Sequence, residues 1–126
     1  GLEDRIRYQA GNALTDDLGE KRYDLIMVNN LVHHFTANDN VQLSQKIAKA
    51  LKPGGIYAIG EFIRGNKPGE GRAVASGAGL YFSLTSESGT WSVDEIHSWQ
   101  KSAGLTVKKP INLMSLPGWK VVMATK

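Results

Sequence analysis

Few residues of this chain could do chemistry, and they fall in a handful of places. His33 and His34 are two of its three histidines, and they follow an apolar run that ends in Asn29-Asn30-Leu31. A free imidazole is largely neutral at pH 7 and can take a proton from a hydroxyl group; the same residue also serves as a satisfied structural histidine. The adjacent pair could suggest a metal centre. Neighbouring side chains diverge, however, and no third ligand is close in sequence, so no metal is expected. Glu61 stands near the end of a second apolar run, Ile56-Tyr57-Ala58-Ile59-Gly60-Glu61-Phe62. Asn29, Asn30 and Leu31 lie where a buried strand would stop, which is where open α/β sheets bind ligands; two asparagines also simply turn a chain. Gly11-Asn12-Ala13 reads as a turn after an alternating stretch. The Gly-rich segment Gly65–Gly79 lacks the Gly-Lys-Ser/Thr ending of a phosphate loop and is expected to be a mobile loop.

Positioning these residues requires an α/β frame. Arg5–Ala10 alternates polar and apolar residues and is expected to be a strand. Tyr23–Val28 is a nearly continuous apolar run bounded by turn residues, as in a strand buried on both faces of a parallel sheet. Leu43, Ile47 and Leu51 repeat at spacing four, so a helix capped by Asn38 or Asp39 should follow and stop at Pro53-Gly54-Gly55. Ile56–Phe62 is the next strand, which makes a right-handed strand–helix–strand crossover. Leu80–Leu84 reads as a short helix. Ser92-Val93-Asp94-Glu95 has the spacing of a capping box and opens a helix through Ile96, Trp99 and Ala103. Leu105–Leu113 and Trp119–Ala124, joined by a turn at Pro117-Gly118, predict a C-terminal antiparallel hairpin.

The bulk composition is that of one ordinary globular domain: 126 residues, 41% hydrophobic and 21% charged. A net charge of +3 with scattered Lys and Arg gives no nucleic-acid footprint. The absence of Cys excludes disulfide scaffolds and fits a reducing, cytoplasmic setting. No apolar run reaches membrane-spanning length. The chain opens mid-pattern at Gly1-Leu2-Glu3-Asp4 without an initiating Met, which points to a fragment.

Five stretches, in register, resemble the class I S-adenosylmethionine-dependent methyltransferases. They are Gly11-Asn12-Ala13, Tyr23-Asp24-Leu25-Ile26, Leu31-Val32-His33-His34-Phe35, Leu51-Lys52-Pro53-Gly54-Gly55, and Thr90–Ile96 leading to Ala103-Gly104-Leu105. The last of these, with Pro117–Ala124, is similar to small-molecule O-methyltransferases. The resemblance implies residues 1–126 to be the C-terminal part of a single methyltransferase domain. Its sheet would be a partial Rossmann-like one: family strands 3 to 7, without the first βαβ unit and its glycine-rich cofactor loop.

The same resemblance implies roles. S-adenosyl-L-methionine would be the cofactor, with Gly11, Asn12 and Ala13 near its adenine and Asn29, Asn30 and Leu31 along its ribose and sulfur. His33 would accept the proton of the acceptor hydroxyl, and Glu61 would orient His33. Plant enzymes of this kind carry Asp where His34 stands and a further acid where Thr90 stands, so the plant-type triad is incomplete here. Tyr81, Phe82 and Trp91 would line an aromatic acceptor site or pack the core.

The implied reaction is methyl transfer to a small-molecule hydroxyl acceptor by the parent protein, the isolated chain being inactive. Carbon methylation of the quinone-biosynthesis type, and a non-catalytic truncated module that self-associates, are the competing readings. Without family strand 2, residues 5–10 would lack a partner and the Tyr23–Val28 strand would show an open edge. Residues 1–12 are therefore expected to pair across a subunit boundary, to restack on that open edge, or to fray, with a homodimer the expected outcome.

Overall fold

The computed structural model describes residues 1–67, 70 and 73–126. The apolar run becomes strand β1 (Tyr23–Asn29), which lies parallel to β2 (Leu51–Arg64), in register from Leu25 opposite Ile56 to Asn29 opposite Gly60. Helix α1 (Ala37–Ala50) makes the crossover between them. Its N-cap is Thr36, not Asn38 or Asp39. Asp39 sits three residues in, where its amide donates to Thr36 Oγ1 (3.2 Å) and its carboxylate accepts the Thr36 amide (3.3 Å). A carboxylate there satisfies one free amide and also faces the positive end of the helix dipole. The helix stops at Ala50, earlier than the Pro-Gly-Gly signal suggests. Pro53 disfavours helical geometry at Lys52, and Leu51 already pairs with Tyr23. The freed carbonyls of Lys49 and Leu51 accept from Lys126 Nζ (3.4 and 2.8 Å).

After β2 come α2 (Ala73–Thr85), β3 (Trp91–Ser92), α3 (Val93–Ser102), β4 (Thr106–Val107), β5 (Ile111–Asn112) and β6 (Trp119–Thr125). The main sheet has the order β1-β2-β6-β4, with β3 extending the end of β2 and β5 also on β6. Strand β6 is antiparallel to β2, from Ile56 opposite Thr125 to Phe62 opposite Trp119. The expected C-terminal hairpin is present. Its first arm is broken into β4 and β5, either side of Pro110, which has no amide proton to give to a ladder. The architecture is a Rossmann-like α/β fold. Alternate β2 residues Tyr57, Ile59 and Ile63 join Leu43 and Ile47 of α1, Ile96 and Trp99 of α3, and Val122 and Ala124 of β6 in one core.

Three sequence expectations are corrected. Residues 5–10 form no strand: they are exposed, with Tyr8 95% accessible, because no neighbouring strand offers them a ladder of backbone partners. Strand β1 is not buried on both faces. It lies at the sheet edge, and although Val28 is buried, Leu25 and Met27 on the opposite face are more than half exposed. The Gly-rich stretch is not all loop, since α2 begins at Ala73, well ahead of Leu80. The parts of that expectation that fall on residues 68, 69, 71 and 72 lie outside the described residues. No described helix is long and apolar enough to cross a membrane.

Candidate active site

The sharpest chemical feature lies beyond the C-terminal ends of β1 and β2. Strand β1 ends at Asn29, and Asn30 turns the chain with φ near 50°, a left-handed conformation that Asn tolerates better than most residues. The Asn30 amide donates to the Gly60 carbonyl (3.1 Å). A Cβ on Gly60 would meet Asn29 Oδ1, so that exposed carboxamide would have to swing aside to admit a side chain there. Next comes a single 3-10 turn, Val32–His34. Its Val32 carbonyl accepts from Asn40 Nδ2 of α1 and from Trp91 Nε1 (both 3.0 Å), so two separate elements pin the turn.

That anchoring aims His33 into the sheet. His33 Nδ1 lies 2.8 Å from Glu61 Oε2, and both side chains are nearly closed to solvent, at 2% and 0% residue exposure. Glu61 Oε1 accepts the Phe62 amide (3.3 Å). The Phe82 ring of α2 lies almost parallel to the His33 imidazole, 3.6 Å between centroids and 13° between planes. His34, exposed, leans on His33 from the side, and its Nδ1 is 2.8 Å from Ser86 Oγ. Burial pushes the Glu61 carboxyl above the ordinary carboxylate range. The hydrogen bond and positive charge of His33 oppose that shift without cancelling it.

When Glu61 is ionised it can only accept, so the shared proton sits on His33 Nδ1 and the lone pair on Nε2. Nε2 lies on the ring edge away from Glu61 and has no hydrogen-bond partner among the described residues. An imidazole held in this tautomer is equipped to remove a proton from a hydroxyl group.

The other sequence-selected positions fare differently. Asn29, Asn30 and Leu31 gather at the same sheet end as His33 and Glu61, with Leu31 packed against the core and both asparagines exposed. Gly11-Asn12-Ala13 forms a self-contained turn. Asn12 Oδ1 accepts the Leu14 amide (2.9 Å), while the Asn12 amide donates to the Asp16 carboxylate (2.8 Å). Thr90 is buried, and its carbonyl accepts from Arg64 Nε (2.9 Å); Arg64 also pairs with Glu95, the capping-box acid of α3. Among the described residues no group of three His, Cys, Asp or Glu is arranged to hold a metal ion. A cavity of about 580 Å³ lies beyond the end of β2 among Ile63, Arg64, Val93, Leu113, Met114 and Trp119. Neither His33 nor Glu61 lines it, so the chemistry and this hollow are separate features. Sequence reasoning missed the flat Phe82–His33 stack and the Ser86 contact. An aromatic within the short helix read at Leu80–Leu84 was the available signal.

A family model described as "Methyltransferase domain" matches residues 1–59. A protein of Nostoc punctiforme PCC 73102 classed as an O-methyltransferase superposes on all of this chain with a TM-score of 0.86 and 28% identity, over 38% of its own length. The fold is that of a class I methyltransferase. Human N-acetylserotonin methyltransferase, solved in complex with SAM, shares the fold at a TM-score of 0.82 and 21% identity, with 100% of this methyltransferase-like chain and 35% of that protein covered. The chemotaxis protein methyltransferase of Listeria monocytogenes serovar 1/2a is 42% identical over 55 residues, which are 44% of this chain and 21% of that relative. The methyltransferase-like chain thus spans well under half the length of the proteins it matches.

Proposed function

We propose that this chain is the C-terminal part of a methyltransferase domain whose parent protein moves the methyl group of S-adenosyl-L-methionine to a hydroxyl of a small-molecule acceptor. The observation that carries this reading is the buried His33–Glu61 contact of 2.8 Å. A hydroxyl is a poor nucleophile until its proton leaves, and an oriented neutral imidazole is the group for that task. The likeness to O-methyltransferases over the whole chain supports the same acceptor class.

Bound S-adenosylmethionine would supply an electrophilic methyl group on a positively charged sulfur. Asn29 and Asn30, with exposed carboxamides at the ends of the parallel strands, suit the hydroxyl and amino groups of such a ligand. Leu31 offers apolar contact beside them. Asn12 has one acceptor position taken by Leu14 and a second one free, so Gly11-Asn12-Ala13 can still meet an amino group. His33 Nε2 takes the hydroxyl proton as the oxygen gains the methyl group, and Glu61 steadies the resulting imidazolium. Parts of the parent beyond this chain would complete the cofactor site.

The test is turnover by the natural full-length protein with S-adenosylmethionine against a panel of phenols and quinone precursors, read as S-adenosylhomocysteine released. Methylation of a hydroxyl, lowered about 10²- to 10⁴-fold in kcat by His33→Asn, is expected. Product methylated only on carbon, or an unaffected His33→Asn variant, would overturn the assignment.

A further inference from the structure

We infer that Phe82 is a positioning residue for His33, fixing the plane of the imidazole while Glu61 fixes its rotation within that plane. This rests on the reading of His33 as the proton acceptor. An imidazole on its side chain has two soft torsions, and a hydrogen bond at Nδ1 alone leaves the ring free to swing about the Nδ1–Oε2 line. Phe82 closes off that motion from one face, since its ring lies 3.6 Å away and only 13° from parallel. With both restraints, Nε2 points in one direction, along the ring edge away from Glu61.

The helix that carries Phe82 is placed for this task. Ala75 is buried, and Gly118, opposite it, could not carry a Cβ without crowding it (3.3 Å). A Cβ at Gly79 would come within 2.9 Å of Thr90 Oγ1, so a glycine lets α2 lie close to the segment leading into β3. Just past the helix, Ser86 Oγ reaches His34 Nδ1 at 2.8 Å. These contacts all fall on one side of α2. Leu80, Tyr81 and Leu84 on other sides are 62–78% exposed. The helix is thus seated by its contacts with Gly118, Thr90 and the histidine pair rather than by a buried apolar stripe, and Phe82 is the side chain it delivers to His33.

The experiment compares wild type, Phe82→Leu, Phe82→Met and Phe82→Tyr, with histidine rings labelled with ¹³C and ¹⁵N. The wild-type His33 ring protons should be displaced upfield by the Phe82 ring current, with relaxation showing a rigid ring. Phe82→Leu and Phe82→Met should lose the displacement and gain ring motion while the Nδ1–H tautomer persists; Phe82→Tyr should match wild type. In turnover by the full-length protein, the Leu and Met variants should lose roughly 10-fold in kcat with acceptor KM unchanged within about 2-fold, and Tyr should restore it. A His33 ring equally rigid in Phe82→Leu and Phe82→Met overturns the inference, as does unchanged kcat in an active protein. The spectroscopic arm needs no turnover, so failure of the methyltransferase reading shows separately, as absent turnover in wild type.

Discussion

Glu61 is the residue whose replacement separates orientation from packing. In Glu61→Ala the His33 Nδ1 proton loses its acceptor inside a region with almost no solvent access. An unpaired buried donor costs roughly 1–3 kcal/mol, and the vacated side-chain volume adds about 1 kcal/mol. For a chain of 126 residues the entropy of unfolding makes each kcal/mol worth about 4 °C in Tm, so Glu61→Ala should melt about 8–16 °C lower. Glu61→Gln keeps the shape and an acceptor oxygen, and should stay within about 4 °C of wild type near neutral pH. The pH dependence carries a definite sign. Burial raises the folded-state Glu61 value above the ordinary 4.5, so the folded protein prefers the protonated acid. Its contribution to stability is full below 4.5 and is lost as pH rises through the raised folded value. Gln does not titrate, so the advantage of wild type over Glu61→Gln should shrink as pH rises. Scanning fluorimetry of the three proteins from about pH 4 to about pH 8 measures it. A wild-type advantage that grows with pH would refute the argument, because it would mean that His33 stabilises the carboxylate by more than burial penalises it.

Gly60→Ala should lower Tm by about 4 °C in thermal melting, from an overpacking cost of roughly 1 kcal/mol against Trp119 Cζ2, 3.1 Å from the added Cβ, because the exposed Asn29 carboxamide can swing aside. Ser92→Ala removes the hydroxyl that caps α3 and should cost about 1 kcal/mol in a urea titration, with the slope unchanged. Self-association through the open edge of β1 should appear as a concentration-dependent sedimentation coefficient. Met27→Lys, which charges the exposed face of that edge, should abolish it, and association that persists in the variant would place the contact elsewhere.

What the sequence made legible was local. The Ser92–Glu95 capping box, the apolar runs of β1 and β2 and the turn before β6 are written in neighbouring residues, and each formed. Helix α2 was legible only at its end. Its first half contains Gly77 and Gly79 and no apolar stripe, so what seats it is Ala75 against Gly118 and Phe82 against His33, contacts that spacing does not reveal. The exposure of β1 was misread because a continuous apolar run does not say which neighbours cover it. Residues 5–10 carry strand alternation, yet alternation cannot supply a partner. The His33–Glu61 contact joins residues 28 apart in sequence, and family likeness, not pattern, pointed to it.

The place of β6 in the sheet has a consequence for how the chain matures. The seven-residue strand Trp119–Thr125, made after both of its neighbours, lies between β2 and β4, and Lys126 then holds carbonyls where α1 passes into β2, from 77 and 75 positions away. During synthesis β1, α1 and β2 can pair as they emerge, but until β6 arrives β2 presents its second edge bare and β4 has nothing to join. Such long-range closure is slow relative to helix formation. The sheet therefore completes from its middle only once β6 is made, and a ribosome stalled just short of residue 119 would display a half-built sheet with two sticky edges.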